Sequence, residues 1–123
     1  MKQTAKNACG SVALYHIMMN LPKEHENLIA KDSVLDKFRV HRGKNPEELA
    51  ELFKGDKSIR EIHTESTNKG QTKTNENECI DKHFIAFVNH NGSLYELDGG
   101  KKFPINHGKT SNESFLNDSC KVI

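Results

Sequence analysis

His83 and Asp98 are the two residues whose types and positions most favour acid–base chemistry. They lie in apolar segments on either side of the dipeptide Asn91-Gly92. An aspartate that is hydrogen bonded to one ring nitrogen of a histidine fixes its tautomer and stabilises the imidazolium, and the other nitrogen can then act on a nucleophile. The alternative interpretation is a structural His–Asp pair at the end of a strand, because such pairs also occur without chemistry.

Two predicted strands, 83–89 and 93–99, must bring this pair together. Asn91-Gly92 between two apolar runs is the strongest short-range signal for a hairpin with a two-residue turn. In that register Phe87 faces Glu96, and the histidine and the aspartate become diagonal neighbours, about 7–8 Å apart at the backbone. An Asp–His hydrogen bond is therefore expected without any tertiary assumption. Apolar residues fall on both faces of the hairpin, which predicts that it is covered on both sides.

Cys9 is the candidate nucleophile. It lies between a predicted N-cap, Asn7, and an apolar helical pattern that runs from Ala8 to Met19. In the first turn of a helix, unpaired N–H groups and the helix dipole favour a thiolate. A cysteine with a distant His–Asp pair is the arrangement of thiol hydrolases, which the fold must assemble. The alternative interpretation of Cys9 is a small buried core residue.

Gln3 is a further candidate near the cysteine, which it precedes by six residues. A side-chain amide beside a nucleophile can donate a hydrogen bond to the oxyanion of a tetrahedral intermediate, together with the Cys9 backbone N–H. On its own a glutamine carries little signal.

Three helices are predicted elsewhere in the chain. Asp32 or Ser33 begins a short one, and Asn45-Pro46 begins a longer one that Gly55 ends. A weaker helical pattern covers residues 110–120.

Two further segments lie between the helix that ends at Gly55 and the hairpin. Residues 58–63 are predicted to form a short strand. Residues 64–79 are polar throughout and lack any apolar period, so they are predicted to form a long, mobile surface loop.

Length and charge limit the classes of function. The 123 residues fit a single domain. The 18 Lys and Arg residues balance 17 Asp and Glu residues, and no basic run contains interleaved aromatics, so no nucleic-acid partner is expected. The longest apolar stretch, within 12–19, is broken by Tyr15 and His16, so no membrane span is expected. The N-terminus lacks the apolar run of a signal peptide, which indicates the cytosol or the nucleus.

Cysteine usage and hydrophobic content add two expectations. The three cysteines (Cys9, Cys79 and Cys120) are odd in number, widely spaced and without a C-x-x-C motif, so no disulfide framework or zinc site is predicted. Only 34% of the residues are hydrophobic and none is Trp, which is little for a domain that must offset its conformational entropy. The chain is therefore expected to rely on a partner or to be part of something larger.

With these residues identified, the sequence resembles the ubiquitin carboxyl-terminal hydrolases, a family of small thiol proteases with a papain-like α+β fold. The resemblance rests on MKQTAKNACGSVALYH at the N-terminus, GQT at 70–72 and DKHFIAFVNHNGSLYELDGGKKFPINHG at 81–108. It covers nearly the whole chain. It implies an antiparallel sheet core with helices around it, incomplete in this chain, within a single partial catalytic domain at 1–123.

The resemblance also implies a role for each candidate residue. Cys9 is expected to be the nucleophile, His83 the general base and acid, Asp98 the residue that orients the histidine, and Gln3 the oxyanion donor. The implied reaction is hydrolysis after the C-terminal glycine of ubiquitin or a ubiquitin-like protein, through a thioester and without metal or cofactor. Segment 64–80 is expected to be the crossover loop over the active site, which would restrict the substrates to small esters, thioesters, amides and peptides.

Some features depart from the family pattern. Gly100 stands where the family usually carries Arg or another side chain. The family's section before Lys2 and its final strand are missing, so these residues alone are expected to be marginally stable and weakly active. With the full domain present, a monomer is expected.

Two other functions remain open: a non-catalytic remnant that binds ubiquitin or a partner, and a papain-like thiol hydrolase with another substrate. The intact set of four residues favours the enzyme.

Overall fold

The computed structural model of this chain describes residues 1–5, 8–69 and 82–123. In these ranges, helices lie around a three-stranded antiparallel sheet of order β1-β2-β3, as the predicted α+β class requires. The helices are α1 (Cys9–Met19), a 3-10 helix (Lys23–Leu28), α2 (Val34–Arg39), α3 (Pro46–Gly55), α4 (Lys57–Lys69) and α5 (Phe115–Cys120). The strands are β1 (Ala86–His90), β2 (Ser93–Leu97) and β3 (Ile105–Lys109).

Side-chain caps begin α2 and α3 at the predicted positions. The Ser33 hydroxyl accepts a hydrogen bond from the Asp36 backbone N–H at 3.1 Å. The Asn45 side chain accepts one from the Glu48 N–H at 2.8 Å, and Pro46 occupies the start of α3. Each cap satisfies a backbone donor that has no partner inside its helix.

The strand predicted at 58–63 is wrong, because these residues lie in α4. The missed signal is Asp56, whose Oδ1 accepts a hydrogen bond from the Ile59 N–H at 3.0 Å and so caps the helix. Ile59 and His63, four residues apart, are both half-buried, which is helical and not strand spacing.

The loop predicted from residue 64 is wrong for residues 64–69, which are helical. The helix α4 continues to Lys69, and the Thr64 hydroxyl donates to the Arg60 carbonyl at 2.9 Å. A polar sequence indicates exposure to water, and an exposed helix is compatible with it. The rest of the predicted crossover loop, residues 70–80, lies outside the described residues.

The β1–β2 hairpin has the predicted register. Phe87 pairs with Glu96, and the ladder runs from Ala86–Leu97 to His90–Ser93. Asn91 and Gly92 have φ of 51° and 75°, the positive values that a primed two-residue turn needs. The strands are shorter than predicted, so His83 and Asp98 lie just beyond the ladder.

The third strand was not predicted from the sequence. Ile105 is its one half-buried residue, and the rest of β3 is exposed, so it has no apolar alternation to reveal it. Gly108, at φ of 105°, lies where the pairing with β2 shifts register between Ser93 and Tyr95. A bulge of this kind increases local twist.

Both faces of the hairpin contain buried positions, as its pattern predicts. Ala86 and Val88 are buried on one face, and Leu94 and Glu96 are buried on the other. The helix α1 packs against β1, and α5 packs against β2. A second apolar cluster joins Tyr15 of α1 to the rings of Phe38 and Phe53, with centroid distances between 5.7 and 5.9 Å. In the part of the chain described, no helix is long and apolar enough to cross a membrane.

Gly99 marks a close approach between the hairpin, Gln3 and α1. The Gln3 N–H donates to the Gly99 carbonyl at 2.8 Å. A Cβ at Gly99 would lie 2.8 Å from Val12 Cγ1 and 2.9 Å from Gln3 Cβ, so no side chain fits there. Because Val12 is 2% exposed, it has little room to move away.

His16 anchors the N-terminal segment to α1 from within the structure. His16 is 6% exposed, and its Nε2 lies 3.0 Å from the Met1 carbonyl oxygen. Burial lowers the pKa of His16 below its usual range, and the Met1 ammonium acts in the same direction. The neutral imidazole is therefore the form that the folded chain favours.

Replacement of Gly99 by Ala is expected to destabilise the fold. The overpacking against Val12 and Gln3 should lower the free energy of unfolding by about 1–3 kcal/mol, measured by urea denaturation. The Gly55→Ala variant is the control, because no atom lies within 4 Å of a Cβ at that position. Equal unfolding midpoints for the two variants would contradict the close approach.

Acidification is expected to remove stability through His16. The folded pKa is lowered, so the unfolded chain takes up the proton first as the pH falls through about 6.5. Stability is fully present above that pH and is lost towards the lower folded pKa, by up to about 1.4 kcal/mol per pH unit.

Urea denaturation across this pH range should therefore show the parent losing its advantage over His16→Gln as the pH falls. A constant difference between parent and variant would contradict this expectation. The His25→Gln variant controls for the loss of an exposed histidine.

Candidate active site

The hydrogen bond predicted between His83 and Asp98 is present. His83 Nε2 lies 2.6 Å from Asp98 Oδ1. The Asp98 side chain is 10% exposed, whereas that of His83 is 45% exposed. A buried carboxylate thus holds a ring that solvent can still reach, and the His83 Nδ1 is left for another partner.

The environment of Asp98 keeps its carboxylate ionised. Burial alone would raise the pKa, but hydrogen bonds from His83 and from the Gly100 N–H, at 2.7 Å, outweigh it, and the pKa of Asp98 is lowered. The nearby Lys101 ammonium contributes in the same direction. An ionised Asp98 can accept a hydrogen bond from the His83 Nε2–H and stabilise an imidazolium.

Gly100 leaves this pair open on one side. A Cβ at that position would lie 3.3 Å from Asp98 Oδ1 and 3.9 Å from His83 Nε2. A longer side chain would therefore lie against the hydrogen bond, and glycine places none there.

Cys9 is the first residue of α1 and is half-buried. The residue before it is Ala8, which makes no side-chain cap, and the predicted cap Asn7 lies outside the described residues. The first helical hydrogen bond is donated by the Val12 N–H to the Ala8 carbonyl at 2.9 Å. The backbone N–H groups of residues 9–11 therefore have no partner within the helix. They lie at its N-terminus, where the helix dipole favours negative charge.

Two contacts hold the His83–Asp98 pair beside this end of α1. A Cβ at Gly10 would lie 3.7 Å from Phe84 Cδ2, so the neighbour of Cys9 lies close to the neighbour of His83. On the other side of the pair, Gly99 packs against Val12 in the first turn of α1. The structure thus pairs His83 with Asp98 directly and connects Cys9 to them through adjacent residues.

Gln3 is placed next to the same turn. Its backbone bonds to Gly99, and its side-chain Nε2 donates to the Ala5 carbonyl at 2.9 Å. Its Oε1 is buried, with no hydrogen-bond partner in the described structure. The Gln3 backbone is therefore hydrogen bonded to the residue that follows Asp98. The role of Gln3 as an oxyanion donor stays a prediction.

Sequence reasoning missed a second charged group beside the site. Glu96, which is 7% exposed, accepts hydrogen bonds from Lys101 Nζ at 2.5 Å and from His107 Nε2 at 2.9 Å. The Lys101 hydrogen bond lowers the pKa of Glu96 most, burial opposes it, and His107 adds to the lowering. The available signal was a single acidic residue facing Phe87 in an otherwise apolar hairpin. Across residues 1–5, 8–69 and 82–123, no three His, Cys, Asp or Glu side chains are grouped so as to hold a metal ion.

Comparison with known proteins gives consistent results. A family model for ubiquitin carboxyl-terminal hydrolase, family 1, matches residues 1–123. The chain is 40% identical over 122 residues to a ubiquitin carboxyl-terminal hydrolase of Drosophila melanogaster, covering 99% of this chain and 52% of that one. It is 39% identical over 124 residues to isozyme L1 of Rattus norvegicus, covering 99% and 53%.

A solved structure has the same fold. The Trichinella spiralis UCH37 catalytic domain bound to ubiquitin vinyl methyl ester superposes with a TM-score of 0.74 at 23% identity, over 98% of this chain and 52% of that domain. The chain spans about half the length of the curated relatives it matches. Its sheet and helices thus form the incomplete fold that the resemblance implied, and the chain belongs to the ubiquitin carboxyl-terminal hydrolase family 1.

Proposed function

We propose that this chain is a cysteine-type deubiquitinase that hydrolyses small adducts from the C-terminal glycine of ubiquitin. The observation that carries the proposal is the His83–Asp98 hydrogen bond, held beside the end of α1 where Cys9 lies. The names of the relatives support the reaction class, since they are ubiquitin carboxyl-terminal hydrolases. The ubiquitin vinyl methyl ester bound to the Trichinella domain supports ubiquitin as the partner.

In the proposed reaction, His83 Nδ1 takes the proton from the Cys9 thiol, and the thiolate attacks the carbonyl carbon of the ubiquitin glycine. The carbonyl oxygen becomes an oxyanion, which the Cys9 N–H and the Gln3 amide stabilise. Collapse of this intermediate breaks the bond to the leaving group, and His83 returns the proton to it. Water, with His83 as its general base, then hydrolyses the resulting thioester and restores the Cys9 thiol.

Asp98 assists both steps without touching the substrate. Its carboxylate holds the Nε2 proton, so Nδ1 is the nitrogen that exchanges protons with the thiol and the leaving group. We place the reaction in the cytosol or nucleus, and we assign the choice of small leaving groups to the segment 64–80.

The Cys9→Ala variant of the full chain is expected to lose hydrolysis of a ubiquitin thioester by at least about a thousandfold. A thioester is the reporter of choice because its good leaving group makes weak activity detectable. Binding of ubiquitin, measured by calorimetry, should be largely kept. The matched control is Cys120→Ala, because Cys120 is exposed at the end of α5.

The second variant is Asp98→Asn, which should lower kcat by about a hundredfold or more, but by less than the loss of the nucleophile.

Equal loss of binding and turnover in Cys9→Ala would make Cys9 structural. Ubiquitin binding without any turnover in the parent would favour the non-catalytic remnant.

A further inference from the structure

Glu96 connects three separate parts of the chain. Its side chain is 8% exposed, with Oε1 bonded to Lys101 after the hairpin and Oε2 bonded to His107 on β3. Both carboxylate oxygens are thus engaged, each by a different segment. A buried carboxylate needs such partners, because an unpaired charge in this position would be strongly destabilising.

The bridge from Glu96 to Lys101 encloses the turn that contains Asp98. Inside it, the Lys101 N–H donates to the Asp98 carbonyl at 3.1 Å, and the Gly100 N–H donates to Asp98 Oδ1 at 2.7 Å. Lys101 is therefore bonded twice to the preceding segment, through its ammonium to Glu96 and through its backbone N–H to Asp98. Movement of Lys101 would move the backbone that aims the Asp98 carboxylate.

We propose that Glu96, Lys101 and His107 form a positioning cluster that fixes the 98–101 turn and so holds Asp98 in its hydrogen bond with His83. The inference rests on the proposed function, because it assigns these residues to the acid–base pair of that reaction. None of the three is a catalytic residue, since they act only through Asp98.

The ion pair between Glu96 and Lys101 fixes the direction of the Lys101 side chain. Glu96 faces Phe87 in the hairpin, and the His107 ring lies 6.0 Å from that of Phe87. An apolar residue at 96 could bury against these rings, and such replacements of buried ion pairs are often neutral or stabilising. An apolar residue would, however, leave the Lys101 ammonium without its anchor. Stability alone therefore does not account for the cluster.

The effect should appear at the Cys9 thiol. A well-placed Asp98 stabilises the His83 imidazolium, which in turn stabilises the Cys9 thiolate. Loosening the turn should weaken this chain of interactions. The Cys9 thiol should then react more slowly with an electrophile at neutral pH.

The test measures the rate of alkylation of Cys9 by iodoacetamide at neutral pH, in the full chain with Cys79→Ser and Cys120→Ser. In this background, Lys101→Met should lower both the alkylation rate and kcat about tenfold at unchanged KM. Lys101→Arg, which keeps the cation, should retain the parent alkylation rate. The matched control is Lys102→Met, whose ammonium lies over Phe103 and not at Glu96.

Glu96→Gln is the second variant and keeps the size of the side chain, so the same loss of rate is expected if Lys101→Met does not fold. A variant that only loses thermal stability, with the alkylation rate of Lys102→Met, would overturn the inference. A parent whose Cys9 reacts no faster than free cysteine at neutral pH would overturn the proposed function and the inference with it.

Discussion

Gly99 lies where the hairpin, the N-terminal segment and α1 come within van der Waals contact. Its carbonyl accepts the Gln3 N–H, and its missing side chain makes room for Val12. Because Asp98 precedes it and Cys9 begins the helix that carries Val12, this approach links the His83–Asp98 pair to the first turn of α1. The neighbouring elements must remain compatible with this contact.

Two buried carboxylates on the same stretch of chain bind two histidines with different outcomes. Glu96 has both oxygens occupied and holds His107, whose side chain is 21% exposed. Asp98 uses one oxygen for His83, whose side chain is 45% exposed. The first carboxylate thus has two side-chain partners, while the second holds a histidine side chain that solvent reaches more readily. The two pairs contain the same kinds of chemical group and differ in the exposure of the histidine side chain.

The predictable parts of the fold are those whose determinants lie close together in sequence. The hairpin register follows from Asn91-Gly92, and the starts of α2 and α3 follow from Ser33 and Asn45. The strand predicted at 58–63 fails because the Asp56 cap outweighs local β propensity. The strand β3 has almost no buried side chain, so pairing with β2 determines it and no periodicity in the sequence shows it.

The candidate site divides in the same way. The His83–Asp98 hydrogen bond follows from the register of the hairpin. The approach of Cys9 to this pair depends on tertiary packing, which only the family resemblance could suggest. Glu96 escaped notice because an acidic residue on a strand normally points to solvent.

The Gln3–Gly99 hydrogen bond also has a consequence for the order of folding, because it joins residues that are far apart in the sequence. The hairpin closes a loop of two residues, while this bond must close a very long one and so carries a larger entropic penalty. The histidine and the aspartate can therefore meet early, through local contacts. Cys9 would approach them only once the segments around Gln3 and Gly99 are brought together, which makes that approach a late step of folding.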